Sequence, residues 1–162
     1  MDPKSKVKNI EELKMVSRRI RASGRKIVFA NGCFDLLHVG HIRYLQNARA
    51  HGDILVVGIN SDAGVAALKG PGRPLQCADD RAEMIASLAC VDYVLLFDDP
   101  TVDRVLEALQ PDIHAKGTDY TKESVPERDT VRAYGGKVLI AGDPKDHSTR
   151  DLIKLILTRF GP

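Results

Sequence analysis

Apolar positions along the chain alternate between two periods. Apolar-rich runs at 26–30, 54–59, 91–97 and 137–140 and a shorter segment at 112–115 predict strands, and the continuous run 54–59 is that of a strand covered on both faces. Between them the spacing is helical. Ile10, Leu13, Val16 and Ile20 predict a leading amphipathic helix that ends near Ser23-Gly24. Ile42, Leu45 and Ala48 predict a second helix, ending at Gly52. Asn60-Ser61-Asp62 caps a short helix over 63–68, and Asp79 or Asp80 caps the next, with Met84, Ile85 and Leu88 inward. Asp99-Pro100 opens a helix carrying Val102, Val105, Leu106 and Leu109, with the proline in its first turn and Pro111 ending it. The polar stretch 121–134 predicts partial helix at most. Ser148 caps the last helix with Asp151 as its capping-box partner, turning Leu152, Leu155 and Ile156 inward. The segments 69–74 and 142–147 read as loops, the first of them flexible and basic.

Five strands alternating with helices predict an α/β fold, a doubly wound parallel sheet of Rossmann-like form with helices on both faces. The chain divides into an N-terminal helical segment, 1–24, and a main domain, 25–162, forming one compact unit. In such a sheet, sites lie at the carboxyl ends of the strands. The loops expected there hold His38, His41, Lys69, Arg73, Lys116, Asp119 and the Ser148 cap.

Composition narrows the class. The 162 residues are 43% hydrophobic, enough for a core of their own. A net charge of +2 with 28% charged residues argues against a nucleic-acid surface. Arg18, Arg19, Arg21 and Arg25 read as a solvated helix face. Cys33, Cys77 and Cys90 form no CxxC pair, which suits a reducing, cytoplasmic setting; Cys77 and Cys90 read as small apolar fillers. The first residues lack the apolar core of a signal peptide, and no run approaches the ~18 apolar residues that would span a membrane.

The chemistry concentrates in Phe29-Ala-Asn-Gly-Cys-Phe-Asp-Leu-Leu-His-Val-Gly-His41. A strand ends in a turn, and His38 and His41 follow at i and i+3, on one face of a helix start. A helix N-terminus favours an anion, Gly40 lets a phosphate approach the backbone, and imidazoles donate to oxygens that gain charge in a transition state. Zinc is the weaker reading, because neither an HExxH glutamate nor a nearby Cys pair accompanies the histidines. A dinucleotide site is also disfavoured: no G-x-G-x-x-G follows the first strand.

Gly32-Cys-Phe-Asp-Leu-Leu-His-Val-Gly-His41 resembles the G-x-F-D-x-x-H-x-G-H signature of the HxGH nucleotidyltransferase superfamily. The superfamily's second signature, I-S-S/T-T, is represented by His147-Ser148-Thr149-Arg150, with histidine at the usual isoleucine. Asn60-Ser61-Asp62, Leu68-Lys69-Gly70, Arg73-Pro74, Asp80-Arg81, Val91-Asp92-Tyr93-Val94 and Lys116-Gly117-Thr118-Asp119-Tyr120 extend the resemblance to its heptose 1-phosphate adenylyltransferase branch, over roughly 25–156. That branch occurs alone or fused behind a kinase; no kinase precedes this sequence, so the stand-alone form is expected.

The resemblance implies adenylyl transfer from ATP, with Mg²⁺, to D-glycero-β-D-manno-heptose 1-phosphate, giving ADP-heptose and pyrophosphate for lipopolysaccharide inner-core or related glycans. His38, His41, Lys69 and Arg81 are the expected catalytic residues. Gly32, Cys33, Phe34, Asp35, Gly40, Lys116, Gly117, Asp119, Ser148 and Thr149 would bind the nucleotide, with no thiol chemistry at Cys33; for Asp35 a structural role is an equal alternative. Lys69, Arg73 and Arg81 would bind the sugar phosphate; Arg81, a cation at a helix start, sits against the dipole and suggests an anion anchor. For Lys116 a phosphate contact and a structural ion pair are equal alternatives. ATP and a sugar 1-phosphate are the expected partners, with neither nucleic acid nor membrane, and a homodimer would be common for so small an enzyme. The rival readings are a glycerol 3-phosphate cytidylyltransferase, whose R-T-x-G-I-S-T-T is missing here, another sugar- or polyol-phosphate nucleotidyltransferase, and a nucleotide-binding module without turnover.

Overall fold

The computed structural model describes residues 2–144 and 147–161. Five parallel strands form one sheet: β1 (Ile27–Gly32), β2 (Ile54–Asn60), β3 (Tyr93–Phe97), β4 (Ile113–Gly117) and β5 (Lys137–Ala141), in the order β3-β2-β1-β4-β5. The order reverses at β1, so the loops after β1 and β4 part and leave a crevice, as in other doubly wound sheets of Rossmann-like form. Aspartates anchor the opposite edge. Asp53, Asp92 and Asp112 accept the backbone N–H groups of Lys26, Leu55 and Ile27 at 2.7, 2.8 and 2.8 Å.

Strand alternation splits the core into two layers. Val28 and Ala30 of β1 pack with Leu45 and Ala48 of α2 (Val39–Arg49) and Ile85 of α4 (Ala78–Ala86). Ile27 and Phe29 face the other way. They join Leu13 and Ile20 of α1 (Ile10–Ala22), Leu106 of α5 (Asp103–Leu109) and Val131 of α6 (Arg128–Ala133). Helices therefore cover both faces, and the leading helix is part of the core. The short α3 (Asp62–Lys69) is capped by Ser61, and α7 (Thr149–Phe160) by Ser148.

Several boundaries differ from expectation, each for a local reason. Cys77, not Asp79 or Asp80, holds the N-cap position of α4; the two acids lie in its first turn, where the helix dipole favours them. Pro100 does not open α5, because residues 99–102 bend and Val102 is the N-cap position. Strands β1 and β4 run on through Asn31-Gly32 and Lys116-Gly117, carrying polar side chains into the crevice. Leu155 and Ile156 are not inward: they are 45% and 52% exposed, since α7 buries no residue fully. The predicted 142–147 loop is described except for Lys145 and Asp146, which lie outside the described residues.

Candidate active site

Gly32 ends β1 and makes room for a sharp turn. A Cβ there would meet the Phe34 ring at 3.1 Å. Phe34 takes a left-handed backbone (φ 49°), uncommon for a bulky residue, and folds its buried ring back under the site. The ring meets His41 edge-on, with centroids 5.2 Å apart.

Asp35 next to it is buried and anchors the loop at 70–76. It accepts Arg73 Nε at 2.5 Å, the Leu75 N–H at 2.8 Å and the Gln76 N–H at 3.0 Å. Burial alone would raise its pKa; the Arg73 hydrogen bond and the two backbone donors outweigh it and hold the carboxyl below its usual value. Of the two roles open for Asp35, the structure shows the structural one, with its oxygens bonded to protein donors at the edge of the cleft.

His38 and His41 stack, with ring centroids 3.7 Å apart and planes 23° from parallel. The backbone N–H of His38 donates to His41 Nδ1 at 3.4 Å, which places the His41 proton on Nε2. Burial, then the neighbouring His38, pushes the His41 pKa down to about 4. At neutral pH His41 is therefore an uncharged donor. Gly40 completes the turn: a Cβ on it would stand 3.0 Å from the His38 ring and 3.5 Å from His147 Cβ. Residue 147 thus faces the histidine turn directly.

The start of α7 forms the opposite wall. Ser148 accepts the Asp151 N–H at 3.1 Å and donates to Asp151 Oδ2 at 2.6 Å. Thr149 donates to the Leu36 carbonyl at 3.3 Å, tying this wall to the histidine turn. The two helix starts flank a cleft of about 730 Å³. Lys69, Arg73, Gly117 and Asp119 line it, along with Gly32, Cys33 and Gly40. Lys69 is an exposed cation at the end of α3. Burial raises the Cys33 thiol, which keeps it protonated and unreactive.

Arg81 departs from expectation. Its side chain is fully buried and does not line the cleft. Nε donates to the Gln76 carbonyl at 3.0 Å, Nη1 to Cys33 O at 2.5 Å, and Nη2 to Asn60 O at 2.9 Å and Asp62 Oδ1 at 2.8 Å. Four of its N–H groups are committed within the protein, so the structure shows it as a buried tie and not as the expected open anion anchor. It ties the ends of β1 and β2 to the start of α3. Lys116 resolves toward the ion pair: its ammonium lies 3.3 Å from Glu127 Oε1 with both side chains 9% exposed, and 5.0 Å from the Tyr120 ring.

The cleft also includes residues that sequence reasoning missed, among them Asn31, Arg43, Asn60, Thr101 and Glu127. Asn31 and Asn60 are strand ends, and their polarity in apolar runs was the available signal. Glu127 sits in the polar 121–134 stretch, where nothing marked it.

The sequence profile of the cytidylyltransferase-like family matches residues 29–155. The chain belongs to that family, and its fold and paired-histidine cleft are those of a nucleotidyltransferase. It is 48% identical over 160 residues to the bifunctional protein HldE of Geobacter metallireducens, covering 99% of this chain and 33% of that protein. To the bifunctional protein HldE of Citrifermentans bemidjiense it is 50% identical, covering 98% and 33%. The chain thus spans about a third of the length of the curated relatives it matches. Among solved structures it resembles a lipopolysaccharide core biosynthesis protein from Thermoplasma volcanium, with TM-score 0.63 and 28% identity over 75% of this chain and all of that one. A pantoate-beta-alanine ligase from Francisella tularensis shares the fold at TM-score 0.64 and 15% identity, covering 91% and 72%.

Proposed function

We propose that this chain transfers the adenylyl group of ATP to D-glycero-β-D-manno-heptose 1-phosphate, releasing pyrophosphate and forming ADP-heptose. The observation that carries the reading is the His38–His41 stack, with His41 held neutral by burial, facing the Ser148 helix start across one cleft. The relatives named bifunctional protein HldE and the lipopolysaccharide core biosynthesis neighbour support a sugar-phosphate acceptor.

The phosphate of a sugar 1-phosphate is nucleophilic at neutral pH without a general base. The protein's task is alignment and charge stabilisation. His41 Nε2–H donates to the α-phosphoryl oxygens as the α–β bond breaks, and His38 stacks beside it. The N–H groups at the starts of α2 and α7, with Ser148 and Thr149, receive the β- and γ-phosphates. Lys69 supplies exposed positive charge at the cleft, and Arg73, fixed by Asp35, presents its remaining N–H groups to the departing pyrophosphate. Among the described residues no three His, Cys, Asp or Glu side chains gather to hold a metal ion. Mg²⁺ is therefore expected to enter as the ATP complex, as part of the substrate.

The test is pyrophosphate release with ATP, CTP and GTP against heptose 1-phosphate and glycerol 3-phosphate. Release only with ATP and heptose 1-phosphate supports the reading. Preferred turnover of CTP with glycerol 3-phosphate overturns it in favour of the cytidylyltransferase alternative.

A further inference from the structure

A buried polar cluster lies where β1 and β4 end, and the chemistry above leaves it unused. His114 is fully buried on β4, packed against Phe29 with centroids 5.9 Å apart, beside a cluster of buried apolar side chains. Its Nε2 lies 3.0 Å from Asn31 Oδ1, and its Nδ1 has no partner. A leucine would fill this position without leaving a buried nitrogen unpaired. A histidine retained at such a position calls for a reason.

The reason is the orientation of Asn31. Burial holds His114 neutral, with its pKa pushed down to about 3. One ring nitrogen therefore carries the proton. An orphaned buried N–H is rarer than an orphaned acceptor, so the proton sits on Nε2 and donates to Asn31 Oδ1. The amide nitrogen of Asn31, with two N–H donors, then turns into the cleft that Asn31 lines.

Two residues beyond His114 on the same strand face is Lys116, paired to Glu127, and Glu127 Oε2 is buried without a partner. Both side chains line the same cleft. Amide donors and a carboxylate lining one cleft match sugar hydroxyls, which donate and accept at once. The carboxylate also disfavours a triphosphate, which would be repelled by it.

We propose that Asn31, Lys116 and Glu127 form the subsite that reads the sugar hydroxyls of the acceptor. His114 is the positioning residue that aims the Asn31 amide. This rests on the sugar 1-phosphate acceptor proposed above and assigns the residues that select it.

The test uses the full chain with kcat and KM measured separately for ATP and for heptose 1-phosphate. Asn31→Ser is expected to raise the KM for the sugar phosphate about tenfold, the scale of one lost hydrogen bond, and to leave the KM for ATP within about twofold. His114→Phe moves the same constant in the same direction. The double variant is no worse than Asn31→Ser alone, because His114 acts through Asn31. Glu127→Gln also weakens the sugar phosphate and not ATP. An unchanged sugar-phosphate KM in folded Asn31→Ser overturns the proposal, as does a rise in the KM for ATP or a double variant equal to the product of the two singles. Asn31→Ser decides the question even where His114→Phe fails to fold. If the parent turns over no sugar 1-phosphate at all, the acceptor reading itself fails. Turnover by the parent with indifferent variants removes only the subsite.

Discussion

His41 accepts the backbone N–H of His38 through Nδ1 at 3.4 Å while the two rings stack 3.7 Å apart. One hydrogen bond thus decides which nitrogen of His41 carries the proton, and burial keeps that proton there as a neutral donor. Removing a donor aimed at developing charge typically costs about 10²–10³ in rate. His41→Ala is therefore expected to lower kcat by that factor with little change in either KM. Steady-state kinetics check this, and near-parental kcat would remove His41 from the transition state.

Gly40 is the steric complement of that pair. The Cβ of Gly40→Ala would press on the His38 ring at 3.0 Å. The ring must move by a few tenths of an ångström, and misplacement on that scale is costly in a site of aligned groups. Gly40→Ala is expected to lose most of its kcat while its melting temperature stays within a few degrees of the parent, as circular dichroism would record. A variant of parental activity would show that the stack need not be held so closely.

Arg81 makes the opposite prediction. Arg81→Met leaves the carbonyls of Gln76, Cys33 and Asn60 and a carboxylate oxygen of Asp62 without their donor. Groups left unsatisfied away from water cost about 1–3 kcal/mol each; the half-exposed Asp62 carboxylate rehydrates, and the partly buried carbonyls leave about 2–4 kcal/mol of lost stability. Urea unfolding measures this. A variant of parental stability that had lost only sugar-phosphate affinity would restore the anion-anchor reading.

Acid should destabilise the protein through its buried imidazoles. His41 and His114 fall from 6.5 to about 4 and about 3, mainly by burial. The unfolded chain therefore binds protons that the folded one refuses. Their contribution is fully present above pH 6.5 and is lost as pH falls toward 4 and then 3, at up to ~1.4 kcal/mol per pH unit for each group. Melting temperatures at stepped pH record it, and His114→Phe should flatten the lower part of the curve. A flat profile from pH 7 to 4 would contradict the neutral assignment of both rings. A bound ATP analogue should raise the His41 pKa, because the triphosphate favours the charged ring; imidazole NMR would follow the shift.

Local patterns carried most of the fold. The strand runs at 54–59 and 137–140 and the Ser148 cap could be read because periodicity and capping are properties of neighbouring residues. Arg81 could not be read that way. Its position against the helix dipole suggested an anion, but its partners come from three other segments that only folding brings together. Asp35 was left open between two roles for the same reason: its donors lie 40 and 41 residues away. The apolar spacing of α7 described a helix correctly but not what would cover it, and Leu155 and Ile156 stand exposed.

The most direct test of the account follows the α-phosphorus of ATP. No protein nucleophile is invoked, so the sugar phosphate attacks in line and the phosphorus inverts once. With ATP made chiral by sulfur at the α-phosphate and heptose 1-phosphate as acceptor, the account predicts ADP-heptose of inverted configuration and one pyrophosphate per sugar nucleotide. Retained configuration, or no sugar nucleotide at all, would contradict it.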